Sequence, residues 1–147
     1  MPPSLKESDG TLKAPSPGKG MLYIYRPSAF YGGGVFYDLH DSAQGDKVLG
    51  TITSGSVIAA ELEPGSREIW AKTEAKVSVP VTIEAGKTQC VKAGVGMGLL
   101  VGRPTLEKAA LDQCRKEVSK IVLERKKREE EAQKGDDLGF GFAHKKR

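Results

Sequence analysis

The chain has 147 residues, 38% hydrophobic, 29% charged and 6% aromatic, which suits one small domain with tails and is too little for two separate cores. Its 18 Gly and 8 Pro punctuate it too densely for a helix bundle, and its apolar runs, such as 57–60 and 99–101, are only a few residues long, far short of the ~20 residues that cross a bilayer. The net charge of +4 belongs to the ends: residues 1–19 carry three basic and two acidic side chains, 20–104 eight of each, and 105–147 twelve and nine, so no basic groove and no nucleic-acid partner are expected of the body.

Residues 1–19 hold Pro2, Pro3, Pro15, Pro17, Gly10 and Gly18 with little that is apolar, and read as a flexible leader or tether. Met1-Pro2-Pro3-Ser4 opens without the basic and apolar regions of an export signal. The folded part starts near Gly20. Met21-Leu22-Tyr23-Ile24-Tyr25-Arg26 is rich in strand formers and stops at Pro27, which has no amide hydrogen for a ladder. After Tyr31-Gly32-Gly33-Gly34, the alternation of Val35, Tyr37 and Leu39 predicts a second strand over 35–39. Strands over 47–53 and 56–62 follow, with Ser54-Gly55 expected to join them as a hairpin. Pro64-Gly65 fits the centre of a type II turn and predicts another hairpin into a strand over 67–72, which carries the only Trp. Val77, Val79, Val81 and Ile83 share one face of the next strand, and Pro80 marks it as an edge or a bulge. Ala85-Gly86 turns the chain into a seventh strand over 88–93, before the glycine-rich segment 94–102. Seven short strands at this spacing predict an antiparallel β-sandwich over 20–104.

From Leu106 the apolar spacing becomes i+4 through Ala110, Cys114, Val118 and Val122, which predicts a C-terminal helix over 105–134 packed on the sandwich. The β-branched stretch 118–123 also suits a last edge strand, and both forms stay open. Arg125-Lys126-Lys127-Arg128 is followed at once by three Glu, so this run reads as a charged helix extension. The tail 135–147 has no packing pattern and is expected to be disordered.

The usual chemical motifs are incomplete. Gly86-Lys87-Thr88 lacks the earlier glycine of a phosphate cradle, where Val81 stands, and Gly94-Val95-Gly96-Met97-Gly98 lacks the later glycine of a dinucleotide fingerprint. No cofactor and no metal are expected. With only His40 and His144 in the chain, Asp38, His40 and Asp41 are the one cluster suggesting metal coordination or the acid–base work of a hydrolase, and a polar loop explains them equally. Tyr23, Tyr25, Phe30, Tyr31, Phe36 and Tyr37 crowd into fifteen residues and suggest a stacking surface for sugar rings or a partner; ordinary alternation would bury about half of them. Cys90 and Cys114 would pair in an oxidising compartment, contributing ~3 kcal/mol, or stay as buried thiols in the cytosol.

Met21-Leu22-Tyr23-Ile24-Tyr25-Arg26-Pro27, then Glu63-Pro64-Gly65-Ser66-Arg67-Glu68, then Glu84-Ala85-Gly86-Lys87-Thr88 together resemble a bacterial family defined only as a domain of unknown function. Its members are small exported proteins, often lipoproteins, with an immunoglobulin-like or prealbumin-like β-sandwich, and the Pro-Gly turn is similar to that of PEGA surface modules. The resemblance spans roughly residues 20–123. It implies a periplasmic or outer-membrane-associated protein, a lipid anchor and signal lost ahead of the tether, and a disulfide between Cys90 and Cys114. It supplies no catalytic residues. With the catalytic motifs incomplete as well, the function expected is a non-enzymatic cell-envelope module binding a protein or glycan partner through sheet edges or the aromatic cluster. The alternative is a cytoplasmic adaptor acting through the charged helix.

Overall fold

The structure is a computed structural model that describes residues 12–28, 34–98 and 100–137. β1 (Gly20–Arg26), β4 (Ser56–Leu62), β7 (Thr88–Gly96) and β8 (Arg103–Ala109) form one sheet in the order β4-β1-β7-β8. β2 (Tyr37–Asp41), β3 (Lys47–Ile52), β5 (Gly65–Lys72) and β6 (Lys76–Ile83) form the other in the order β3-β2-β5-β6. A single 3-10 turn, Ser42–Gln44, links β2 to β3, and the helix α1 (Leu111–Asp137) closes the described chain.

The chain is mainly β in two sheets with a C-terminal helix, as its punctuation predicts. The details correct that reading in four places. There are eight strands, not seven, among the described residues, because residues 103–109 pair with β7 instead of starting the helix. Spacing at i+4 puts residues on one face of a strand as well as of a helix, so the Leu106 and Ala110 pattern fitted both. The sheets are not wholly antiparallel: β1 lies parallel to β7, from Met21 opposite Thr88 to Tyr25 opposite Lys92. Neither Ser54-Gly55 nor Pro64-Gly65 closes a hairpin, since β3 and β5 belong to one sheet and β4 to the other. These turns carry the chain across the core, and turn chemistry specifies a reversal without specifying which sheet receives the next strand. Pro80 does lie on an edge strand, β6, opposite Glu68.

Residues 12–19, expected within the flexible leader, lie along the first sheet. The Lys13 amide donates to the Tyr23 hydroxyl at 2.7 Å, the Ser16 amide and hydroxyl donate to Glu61, and Leu12 packs against the helix-side cluster.

Two apolar clusters explain the layering. Between the sheets, Leu22 and Ile24 of β1 meet Leu39, Ile52, Ile69, Val81 and Val91, with Leu106 of β8 at the margin. On the outer side of the first sheet, Met21, Tyr23 and Tyr25 alternate to the other face of β1 and pack against Cys114, Val118, Ile121 and Val122 of α1. β1 is therefore buried along its whole length, which is why its sequence reads as a continuous apolar run. Burial at ~1.5–3 kcal/mol per large apolar side chain makes the Val118, Ile121 and Val122 stripe the main noncovalent hold on the helix. Cys90 of β7 and Cys114 of α1 are joined by a disulfide on this same face, with Cα atoms 6.3 Å apart. Residues 118–123 are helical, and from 127 to 134 the helix is exposed all round, about 12 Å of polar helix beyond the packed part.

Candidate functional site

The Asp38, His40 and Asp41 cluster does not converge. Along β2 the side chains alternate, so Asp38 and His40 face outward while Asp41 is fully buried on the inner side. Asp41 is occupied by structure: Arg67 Nη1 donates to it at 3.0 Å, and Gln44 Nε2 and the Ala43 amide each donate at 2.9 Å. Asp38 accepts from Thr51 Oγ1 at 2.6 Å. His40 stacks on Trp70 with ring centroids 3.9 Å apart, and Lys76 Nζ sits 4.3 Å from the Trp70 ring centre. Because β5 runs between β2 and β6, His40 and Lys76 approach the indole from opposite sides, and Trp70 Nε1 donates to Asp46 at 2.8 Å. Both indole faces are taken, so this column rigidifies the outer sheet surface and leaves no open face for a sugar ring.

The aromatic cluster is divided among three environments. Tyr23 and Tyr25 lie under α1, Tyr37 lies between the sheets, and all three are buried. Phe36 alone of the described four is exposed, at 66%. Phe30 and Tyr31 lie outside the described residues. The single stacking surface suggested by sequence proximity is not formed by these four, because alternation sends neighbours to opposite faces and both faces of β1 are covered. Burial raises the pKa of Tyr23, Tyr25 and Tyr37 above the ordinary value of 10.0, for Tyr25 with added help from Glu117, so these hydroxyls stay neutral.

Next to Tyr25 lies a polar network linking helix and sheet. Glu117 accepts from the Tyr25 hydroxyl at 2.6 Å, from Gln113 Nε2 at 3.0 Å and from Lys92 Nζ at 3.2 Å. Burial pushes the Glu117 carboxyl up, but these hydrogen bonds and the Lys92 charge outweigh it and hold the group below its ordinary value. Glu117 and Lys92 also line an open cavity of about 310 Å³ with Arg26, Thr105 and Glu107. Arg26 is 2% exposed, donates to the Val35 carbonyl at 2.7 Å and stands 6.0 Å from the Tyr37 ring centre.

The feature with the clearest outward aspect is the end of the domain where β1 and β7 finish. The β3–β4, β5–β6 and β7–β8 connections gather there. Glu74, in the β5–β6 turn, accepts three consecutive described amides of the β7–β8 connection through Oε1: Leu100 at 2.7 Å, Val101 at 2.8 Å and Gly102 at 3.1 Å. Thr73 Oγ1 donates to the Gly102 carbonyl at 2.5 Å. Two glycines make this clasp possible. A Cβ on Gly98 would sit 2.7 Å from the Glu74 carboxylate, and Gly102 adopts φ +104°, which only glycine tolerates without strain. With the backbone held down, Met97 is 81% exposed, Leu100 88% and Val101 55%. Val101 and Phe36 line a shallow cavity of about 480 Å³ with Lys72, Thr73 and Asp38.

Sequence reasoning missed Glu74 and its clasp. An acid in a short turn carries no local signature, and the amides it binds lie 26 to 28 residues further on. The exposed apolar residues were visible as part of a glycine-rich segment, but their exposure was not.

No protein-family model matches the chain, and no curated protein and no solved structure matches it.

Proposed function

We propose that this chain is a non-enzymatic module of the cell envelope that binds a protein partner, related to the bacterial family whose three motifs it resembles. The observation that carries this reading is the Cys90–Cys114 disulfide between sheet and helix. Such a bond persists in oxidising compartments such as the periplasm and is rare in the cytosol. No helix among the described residues is long and apolar enough to cross a membrane, so residence at the envelope would rest on a lipid anchor or on surface contact. The engagement of Asp41 by Arg67 speaks against the hydrolase alternative. The burial of Tyr23, Tyr25 and Tyr37 speaks against a glycan surface, leaving the sheet edges as the contact for a protein. β3 is the edge best suited to receive an extended segment: it has no proline, and Val48 is exposed.

Of the two sandwich types implied by the resemblance, the strand orders favour the prealbumin-like one. Immunoglobulin constant-type domains pair strands as ABED and CFG. The orders β4-β1-β7-β8 and β3-β2-β5-β6 depart from that scheme.

The test is to recover the protein from its native host, separate envelope from cytosol, and measure intact mass with and without thiol alkylation. An unalkylated pair in the envelope fraction supports the proposal. Two alkylatable thiols in the cytosolic fraction overturn it and favour the adaptor reading, for which the exposed helix segment 127–134 is the available surface.

A further inference from the structure

Four large apolar side chains, Phe36, Met97, Leu100 and Val101, protrude at one end of a domain whose other exposed large apolar residues, Val48, Leu111 and Leu123, are scattered among the described residues. Met97 and Leu100 stand out as knobs, and Phe36 and Val101 flank the shallow cavity beside them. We propose that this end seats in the interfacial layer of an anionic phospholipid bilayer, with Met97, Leu100, Val101 and Phe36 in the upper acyl region and Lys72 and Arg103 at the phosphates. This seat adds a second contact, with lipid, to the protein partner proposed above.

Three observations converge on lipid. First, the backbone amides of Leu100, Val101 and Gly102 are all satisfied inside the protein by Glu74, and the Gly102 carbonyl by Thr73. This provision suits a loop that enters an apolar phase, where the backbone must be satisfied internally. Second, the clasp holds the apolar side chains outward against the hydrophobic effect, which would otherwise favour their folding back onto the sheets. Third, the charges match an anionic surface. Lys72 lines the same cavity as Phe36 and Val101, and exposed Arg103 follows the loop directly. Of the two nearby acids, Glu74 faces three amides and Asp38 accepts from Thr51. Cations at headgroup depth and apolar knobs below them are the pattern of a surface-seated protein.

The experiment is flotation of the full chain with vesicles of phosphatidylcholine alone and of an equimolar mixture with phosphatidylglycerol. Expected are flotation with the mixture, little with phosphatidylcholine alone, and weakening as salt is raised. Leu100→Ser, at a site too exposed to affect folding, should lower affinity roughly tenfold. Lys72→Glu should lower it at least about fivefold. Glu74→Ala, checked for folding by circular dichroism, should weaken flotation while leaving every apolar side chain in place. Absence of flotation with the mixture, or equal flotation of Leu100→Ser, overturns the proposal. So does loss of flotation only when Arg125, Lys126, Lys127 and Arg128 are neutralised, which would assign the contact to the helix. Self-association without lipid that Leu100→Ser abolishes would make the occupant a second copy and also overturn it. Vesicle binding is read on purified protein, so its failure is separate from failure of the disulfide and fractionation test.

Discussion

Replacing both members of the Cys90–Cys114 pair with alanine tests how the helix is held to the sheet. The bond joins residues 24 apart in sequence. Closing a loop of about 25 residues in the unfolded chain corresponds to ~3.5 kcal/mol in the chain-entropy account. For a domain whose total stability is of order 5–15 kcal/mol, that is a large fraction. The double variant should still fold, because Val118, Ile121 and Val122 remain packed on Met21, Tyr23 and Tyr25, and Glu117 keeps its three hydrogen bonds. The assay is urea denaturation read twice, by Trp70 fluorescence from the second sheet and by far-ultraviolet circular dichroism, to which α1 contributes strongly. Wild-type protein should give coincident transitions, and the variant should lose ~3.5 kcal/mol and roughly 10–15 °C in Tm. Transitions that separate, with the helix signal lost first, would show that the bond holds a locally unfolding unit. A loss below about 1 kcal/mol with coincident transitions would refute the loop-closure reasoning.

Three further outcomes follow from the packing and the charges. Val118→Ala should cost about 2 kcal/mol in chemical denaturation because the side chain is fully buried, whereas Leu123→Ala, 57% exposed one turn later, should stay within about 0.5 kcal/mol. Arg67→Met should destabilise by roughly 3–5 kcal/mol, since it strips the buried Asp41 carboxylate of its cation. Glu117 is held below its ordinary value of 4.5, so its contribution is fully present above that pH and is lost as pH falls through the lower folded-state value. Thermal melts of wild type and Glu117→Gln should therefore differ most at neutral pH and converge well below pH 4.5. A gap that stays constant with pH would remove Glu117 from the acid response.

What the amino-acid order determined by itself is the local part of this protein. Alternation in Val77, Val79, Val81 and Ile83 marks β6, Pro80 restricts that strand to an edge or a bulge, and the Val118 and Val122 spacing marks a face that must be buried. These are properties of neighbouring residues and a short period, and they survive without knowledge of the partner. Only the tertiary structure decided the rest. Whether Leu106 belonged to a helix or a strand depended on the free edge of β7, because i+4 spacing satisfies both. Whether Tyr23 and Tyr25 were surface or core depended on a helix more than eighty residues away covering the outer face of β1. The apolar end was undecided for the same reason. Its outward display requires Glu74 to meet amides brought to it by the pairing of two sheets, and a hydrogen bond between distant segments leaves no periodic trace in either one.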